Sequence, residues 1–258
     1  ERAMAAADRI IALSEMEKGV LERRYGVDGA KVAVVPGGVD TEVYQPTGDP
    51  AAVRTELGMG EQERMVFTTG RLDPRKGYDL LLEAIPAARR RMEAEGIKAR
   101  FLLPGGGDNL NENEGAVREQ MEELIARYGL EDWVTLFPHL SFDKLLTYYT
   151  AADLYVLPSP YEPFGLVAVE AFACGTPVLA TCHGGPPEIV DEGKNGGLAD
   201  PTDAEAFGAA LAAYLSDGER LQAMGQKGLE KAHAVFDWRA VARTIHGGYQ
   251  EAAEAMPR

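Results

Sequence analysis

Short apolar runs recur along the chain at intervals that leave room for a helix between them. Residues 9–13, 31–35, 65–69, 99–103, 133–137, 154–157 and 177–181 each read as a buried strand. Between them the apolar spacing lengthens to that of a helix face. Residues 79–95 place Leu81, Leu82, Ile85 and Ala88 on one side, 116–128 place Val117, Met121, Leu124 and Ile125, and 143–151 place Leu145, Leu146 and Tyr149. Further helices are predicted at 15–25, 50–57, 204–216 and 218–234. Strand, helix, strand repeated this way predicts an α/β fold, a Rossmann-like parallel sheet with helices on both faces. Right-handed crossovers then bring every strand-to-helix loop to one edge, where such sheets bind ligands.

The punctuation divides the chain in three. Residues 1–45 hold a strand-helix-strand unit and the turn Pro36-Gly37-Gly38, and 44–49, with Pro46 and Gly48, reads as a linker. Residues 46–235 form the Rossmann-like domain. Residues 236–258 form a terminal helix whose stripe of Trp238, Val241, Ile245 and Tyr249 needs a surface to cover.

Composition narrows the partners. A hydrophobic share of 45% in 258 residues supports a packed core, and a formal charge of −15 opposes nucleic acid and anionic membrane. No apolar run reaches the length of a membrane span and no basic-then-apolar leader is seen, so neither a span nor a signal peptide is predicted. Cys174 and Cys182 sit in apolar surroundings without metal-ligand spacing, which predicts reduced thiols in a cytoplasmic protein, no metal and no cofactor.

In so acidic a chain, an anion must be held locally. The loop after residues 65–69 runs Gly70-Arg71-Leu72-Asp73-Pro74-Arg75-Lys76-Gly77, with three cations at the ligand edge. Arg grips phosphate oxygens as a fork and Lys as a point charge. The same residues also fit a solvated loop paired with Asp73 and Asp79. The loop after residues 154–157 carries Glu162-Pro163-Phe164-Gly165-Leu166-Val167, then Glu170. A helix opening near Gly165 directs the free amides of Gly165, Leu166 and Val167 at the same edge, an anion site by dipole and donors together. Glu170 lies five residues into that helix, roughly 7.5 Å along it. Two carboxylates so spaced suit two separate diols, although a helix-start acid and an ordinary loop acid fit the spacing equally.

The run Glu162 to Glu170, with seven residues between, resembles the signature of glycosyltransferase family four, retaining enzymes of the GT-B fold. Other segments agree in order: Val35-Pro36-Gly37-Gly38-Val39-Asp40, Gly70-Arg71 with Lys76, Pro104-Gly105-Gly106-Gly107, Ala151-Ala152-Asp153, Gly175-Thr176-Pro177-Val178 and Gly184-Gly185-Pro186-Pro187-Glu188-Ile189-Val190. Within the family, the Gly-Gly-Pro motif, the Glu-Pro-Phe-Gly-Leu run and a long loop over 105–115 are most similar to the sucrose-phosphate synthase and sucrose synthase branch.

The resemblance implies a carboxyl-terminal donor-binding half whose partners are a nucleoside-diphosphate sugar, UDP-glucose by branch, and a sugar or sugar-phosphate acceptor. Gly70, Arg71 and Lys76 would bind the diphosphate with the amides of Gly165, Leu166 and Val167. Glu162 would take the hexose and Glu170 the ribose, and His139 and Leu140 would lie beside the base, with Phe164 in the same lining. Arg71, Lys76 and Glu162 are thus the catalytic candidates. An amino-terminal domain, expected to precede this chain, would supply the acceptor contacts; residues 1–45 would be its last strand-helix-strand unit plus linker, and 236–258 a crossover helix that packs back on it. The chain alone is then expected to bind nucleotide without efficient transfer. The same fold also serves nucleotide-sugar epimerases and a binding module without catalysis, whereas a dehydrogenase is disfavoured because Gly105-Gly106-Gly107-Asp108-Asn109-Leu110 lacks the third glycine. His139 and His183 fall near the site edge, while His233 and His246 read as surface or packing residues. The acidic stretch 108–114 reads as a solvated loop.

Overall fold

In the computed structural model, which describes residues 4, 6–107 and 109–255, the predicted alternation is realised as two parallel sheets. A small one pairs β1 (Ile10–Ala12) with β2 (Val32–Val34) around α1 (Glu15–Tyr25). The chain then passes through α2 (Pro50–Glu56) into β3 (Arg64–Phe67), α3 (Tyr78–Ala94), β4 (Ala99–Gly106), α4 (Glu112–Tyr128), β5 (Val134–Pro138), α5 (Phe142–Ala151) and β6 (Leu154–Leu157). It continues through α6 (Leu166–Ala173), β7 (Val178–Thr181), α7 (Pro186–Ile189), β8 (Gly196–Ala199), α8 (Ala204–Leu215), α9 (Gly218–Lys231) and α10 (Trp238–Ala255).

The large sheet has the order β5-β4-β3-β6-β7-β8, every pair parallel. Alternation along β3 assigns the two cores. Met65 and Phe67 face Leu146, Tyr149, Val169 and Phe172 of α5 and α6. Val66 faces Leu81, Ile85, Val117 and Leu211 of α3, α4 and α8. From β3 the order steps one way and from β6 the other, so their following loops part at a topological switch point. That gap positions the site.

One strand lies outside the predicted set, and two expectations need correction. β8 has no apolar run to announce it: its Gly-Gly-Leu-Ala pairs with β7 because small residues let the backbones approach. The stretch over 105–115 is not one long loop. β4 runs on to Gly106, and α4 starts at Glu112 in a capping box, Asn111 Oδ1 accepting the Glu114 amide at 3.0 Å and Glu114 Oε2 the Asn111 amide at 3.1 Å. The acids of 112–114 are therefore first-turn residues, favoured by the helix dipole; Asp108 lies outside the described residues. Lastly, α9 ends at Lys231 and widens into a π-helical turn, Ala232–Phe236, before α10.

The stripe of α10 finds part of its surface on the small sheet. Val241 is buried, and Ile245 and Tyr249 line an apolar groove with Ile11, Ala33 and Val35. The start of α10 is pinned to residues 39–42. Val39 N donates to Phe236 O at 2.8 Å, Trp238 N to Val39 O at 3.1 Å, and the Asp237 carboxylate accepts the Thr41 hydroxyl at 2.6 Å and the Arg239 amide at 2.8 Å. The Thr41 and Arg239 hydrogen bonds hold Asp237 below the usual carboxylate range. A carboxylate depressed on folding stabilises the chain above its unfolded pKa, about 3.9, and the benefit is lost as pH falls through the folded value. Asp237→Asn is expected to lower the melting temperature at pH 7, and the gap from wild type should narrow as pH falls below the unfolded value of about 3.9. Parallel melting curves across that range would exclude the contribution.

Candidate functional site

The loops after β3 and β6 meet over the switch point. Gly77 lies at φ +67°, and a Cβ there would come within 2.1 Å of the Pro158 carbonyl oxygen, so only glycine lets the two backbones touch. This contact delivers Lys76 to Glu162, Nζ lying 3.1 Å from Oε2, with both side chains largely buried. Ser159 Oγ donates to the same oxygen at 3.4 Å. The Glu162 backbone is held from the β7 side, its amide donating to His183 O at 3.2 Å and its carbonyl accepting the Gly185 amide at 2.9 Å. Gly184, at φ +103°, makes that possible: a Cβ would sit 2.0 Å from the Glu162 carbonyl oxygen.

Beside this pair α6 opens at Gly165, with no side chain capping it. Ser14, Asp49, Asn111, Asp203 and Asp217 supply that cap to α1, α2, α4, α8 and α9, whereas α3, α5 and α7 share the uncapped start of α6. Among the described residues the amides of Leu166 and Val167 have no backbone acceptor, as a first turn dictates. An uncapped helix end next to a partly buried lysine has the chemistry of an anion site.

The basic loop divides. Arg75 is paired with Asp73 at 2.7 Å on the surface, so for this residue the solvated alternative holds. Arg71 is exposed and, among the described residues, in ion-pair contact with no carboxylate. With Gly70 it walls a cleft of about 530 Å³ at the carboxyl ends of β3, β4 and β5, whose far side is Pro138, His139 and Leu140. The fold thus brings together Gly70, Arg71, His139 and Leu140 in one cleft, and Lys76 and Glu162 in a contact pair.

Glu170 stands apart. It accepts the Tyr149 hydroxyl at 3.0 Å and is also hydrogen-bonded by Tyr44. Burial raises its carboxyl above the ordinary value and the two hydroxyls oppose the rise. Burial, then the charge of Glu170, pushes the Tyr44 hydroxyl up to about 12. Phe164 turns its ring into the core against Gly37 and Phe236, so it shapes the α6 approach from within. His183 reaches Asp200 at 3.1 Å, while His233 and His246 are exposed. Asp153 lies at the opposite end of β6, where it binds Arg54 at 2.6 Å and the Met65 amide at 2.7 Å, a structural tie. Sequence reasoning missed Ser159 and Tyr44, whose partners lie across a turn and across the chain.

Comparison with known proteins bears on this geometry. The chain is 39% identical over 250 residues to the D-inositol 3-phosphate glycosyltransferase of Segniliparus rotundus, covering 96% of this chain and 53% of that protein. Sucrose-phosphate synthase from Thermosynechococcus elongatus superposes with a TM-score of 0.82 at 34% identity, over 99% of this chain and 61% of that one. HepE from Anabaena, solved in complex with UDP, gives 0.84 at 25% identity, over 96% and 65%. These neighbours are GT-B glycosyltransferases. The chain spans about half the length of the curated relatives it matches. Among the described residues no helix is long and apolar enough to cross a membrane. Residues 1–43 match the family described as Glycosyltransferase Family 4. Residues 51–231, which hold the whole Lys76–Glu162 crevice and the α6 end, match Glycosyl transferases group 1, and the chain belongs to that family.

Proposed function

We propose that residues 46–235 bind a nucleoside-diphosphate sugar at the switch-point crevice, and that its hexose passes to a sugar or sugar-phosphate acceptor with retention of configuration. The observation that carries this is the Lys76–Glu162 pair beside the uncapped end of α6. Lys76, Arg71 and the amides of Gly165, Leu166 and Val167 gather around a diphosphate, fixed positive groups that stabilise a departing nucleoside diphosphate as the glycosidic bond breaks. Glu162, once Lys76 turns to phosphate, accepts hexose hydroxyls, and Glu170 accepts those of the ribose. The cleft between Gly70 and Leu140 takes the base, and His139 lies in its wall. A phosphate oxygen on the reacting face receives the acceptor proton, so no protein nucleophile is required.

The likeness to HepE, solved with UDP and with UDP and glucose, supports UDP as the nucleotide and glucose as the sugar. The names of the inositol-phosphate and sucrose-phosphate enzymes favour a phosphorylated polyol as acceptor. The curated relatives are about twice as long; acceptor contacts are assigned to an amino-terminal domain whose last strand-helix-strand unit is residues 1–45, and the whole acts in the cytoplasm. Calorimetric titration with UDP, GDP, ADP and NAD tests the site. One diphosphate should bind selectively, and Arg71→Ala should weaken it about 10-fold or more, the loss of a charged hydrogen bond. Preference for NAD, or no diphosphate binding, would overturn the assignment.

A further inference from the structure

The motif over 184–190 gives the site two backbone contacts and leaves the Glu188 side chain unaccounted for. That carboxylate reaches the other unit. Oε2 accepts the Glu15 amide at 2.8 Å and Oε1 the Met16 amide at 3.0 Å, so Glu188 caps the first turn of α1 from 172 residues beyond Met16. Ser14 Oγ accepts the Glu17 amide at 3.1 Å, and the amides of Glu15, Met16 and Glu17 at the start of α1 are all satisfied, two of them by Glu188. A fixed anion at a helix amino end is favoured by the dipole as well as by the hydrogen bonds. The Tyr161 hydroxyl, 3.3 Å from Met16 Sδ, makes a second contact between α1 and the loop that carries Glu162.

The other end of the motif is the Gly185 amide on the Glu162 carbonyl. Between the two anchors lies α7, Pro186-Pro187-Glu188-Ile189, its first two φ angles fixed by proline rings and its turn closed by Val190 N on Pro186 O at 2.8 Å. It is a short stiff strut with one foot on Glu162 and the other on α1.

We propose that Glu188 is a positioning residue for Glu162: by clamping the amino end of α1 it fixes α7, and α7 fixes where the Glu162 carboxylate stands relative to the hexose. The inference rests on the hexose role given to Glu162 above. Glu188 itself touches no substrate.

Hydrogen exchange of the first turn of α1, together with calorimetric titration of UDP and UDP-glucose, tests it on the wild type, Glu188→Ala and Glu188→Gln. In Glu188→Ala the Glu15 and Met16 amides should exchange at least about 10-fold faster. UDP affinity should stay within about 2-fold, while the advantage of UDP-glucose over UDP should fall about 10-fold. Glu188→Gln keeps one acceptor oxygen and should fall between. Unchanged exchange would overturn the clamp, and an unchanged UDP-glucose to UDP ratio would overturn the positioning role. If wild type gains nothing from the glucose, or binds no UDP, the hexose role of Glu162 fails and the positioning role with it; faster exchange in Glu188→Ala would still establish the clamp.

Discussion

Lys76→Ala is expected to weaken UDP binding about 10- to 100-fold, the range for a charge-assisted hydrogen bond lost from a partly desolvated site. Two effects act together. The diphosphate loses a donor, and Glu162, with a side chain only 13% exposed, is left beside the incoming phosphates without its counter-charge. Glu162→Gln should behave differently: it relieves that repulsion, so UDP binds at least as well, while UDP-glucose loses its advantage. In the double variant Lys76→Ala/Glu162→Gln the UDP defect should be smaller than in Lys76→Ala alone, a coupling expected of groups in contact. Titration of the four proteins with both ligands measures this cycle. Strict additivity would mean that the 3.1 Å contact has no bearing on nucleotide binding.

Phe67→Ala should be the most destabilising single change in the core, costing about 3–5 kcal/mol. The ring ends β3 directly beneath the crevice, is fully buried, and packs edge-on against Tyr148, Tyr149 and Tyr155, with Phe137 tilted beside it. Two of those neighbours are held by their hydroxyls and have little freedom to refill the space: Tyr149 is bonded to Glu170, and Tyr155 to the backbone of Thr69. A cavity there stays largely open. Chemical denaturation should show the midpoint fall with the slope unchanged. A loss below about 1 kcal/mol would show that the aromatic cluster collapses onto the space.

The sheet was legible because a strand buried on both faces must be apolar throughout, and the strands of residues 65–69 and 154–157 announce themselves in that way. β8 shows the limit of that signal, since Gly196 and Gly197 contribute backbone and no side-chain pattern. The first turn of α4 was obscured for the opposite reason. Its acids serve the helix dipole and not the core, so the apolar period starts only at Val117. At the site, the residue types and their place on the ligand edge could be read from Gly70 to Lys76 and from Glu162 to Glu170. Pairings could not. Lys76 and Glu162 are 86 residues apart, and nothing local distinguishes Lys76, which turns inward, from Arg75, which turns to Asp73. The reach of Glu188 to α1 is likewise a property of the assembled fold.

The hydrogen bonds between Val39 and residues 236–238 also govern how the unit containing β1, α1 and β2 can move. Two stretches of chain pass between that unit and the large sheet, one near residue 40 and one near 237, and they run side by side, bonded to each other. A body hung from a single covalent string swivels in every direction, whereas one hung from two adjoining strings retains rotation about one axis, here open only once the Glu188 and Tyr161 contacts with α1 are released. The same doubling means that cutting the backbone between Glu42 and Gly48 leaves the two pieces joined through α10.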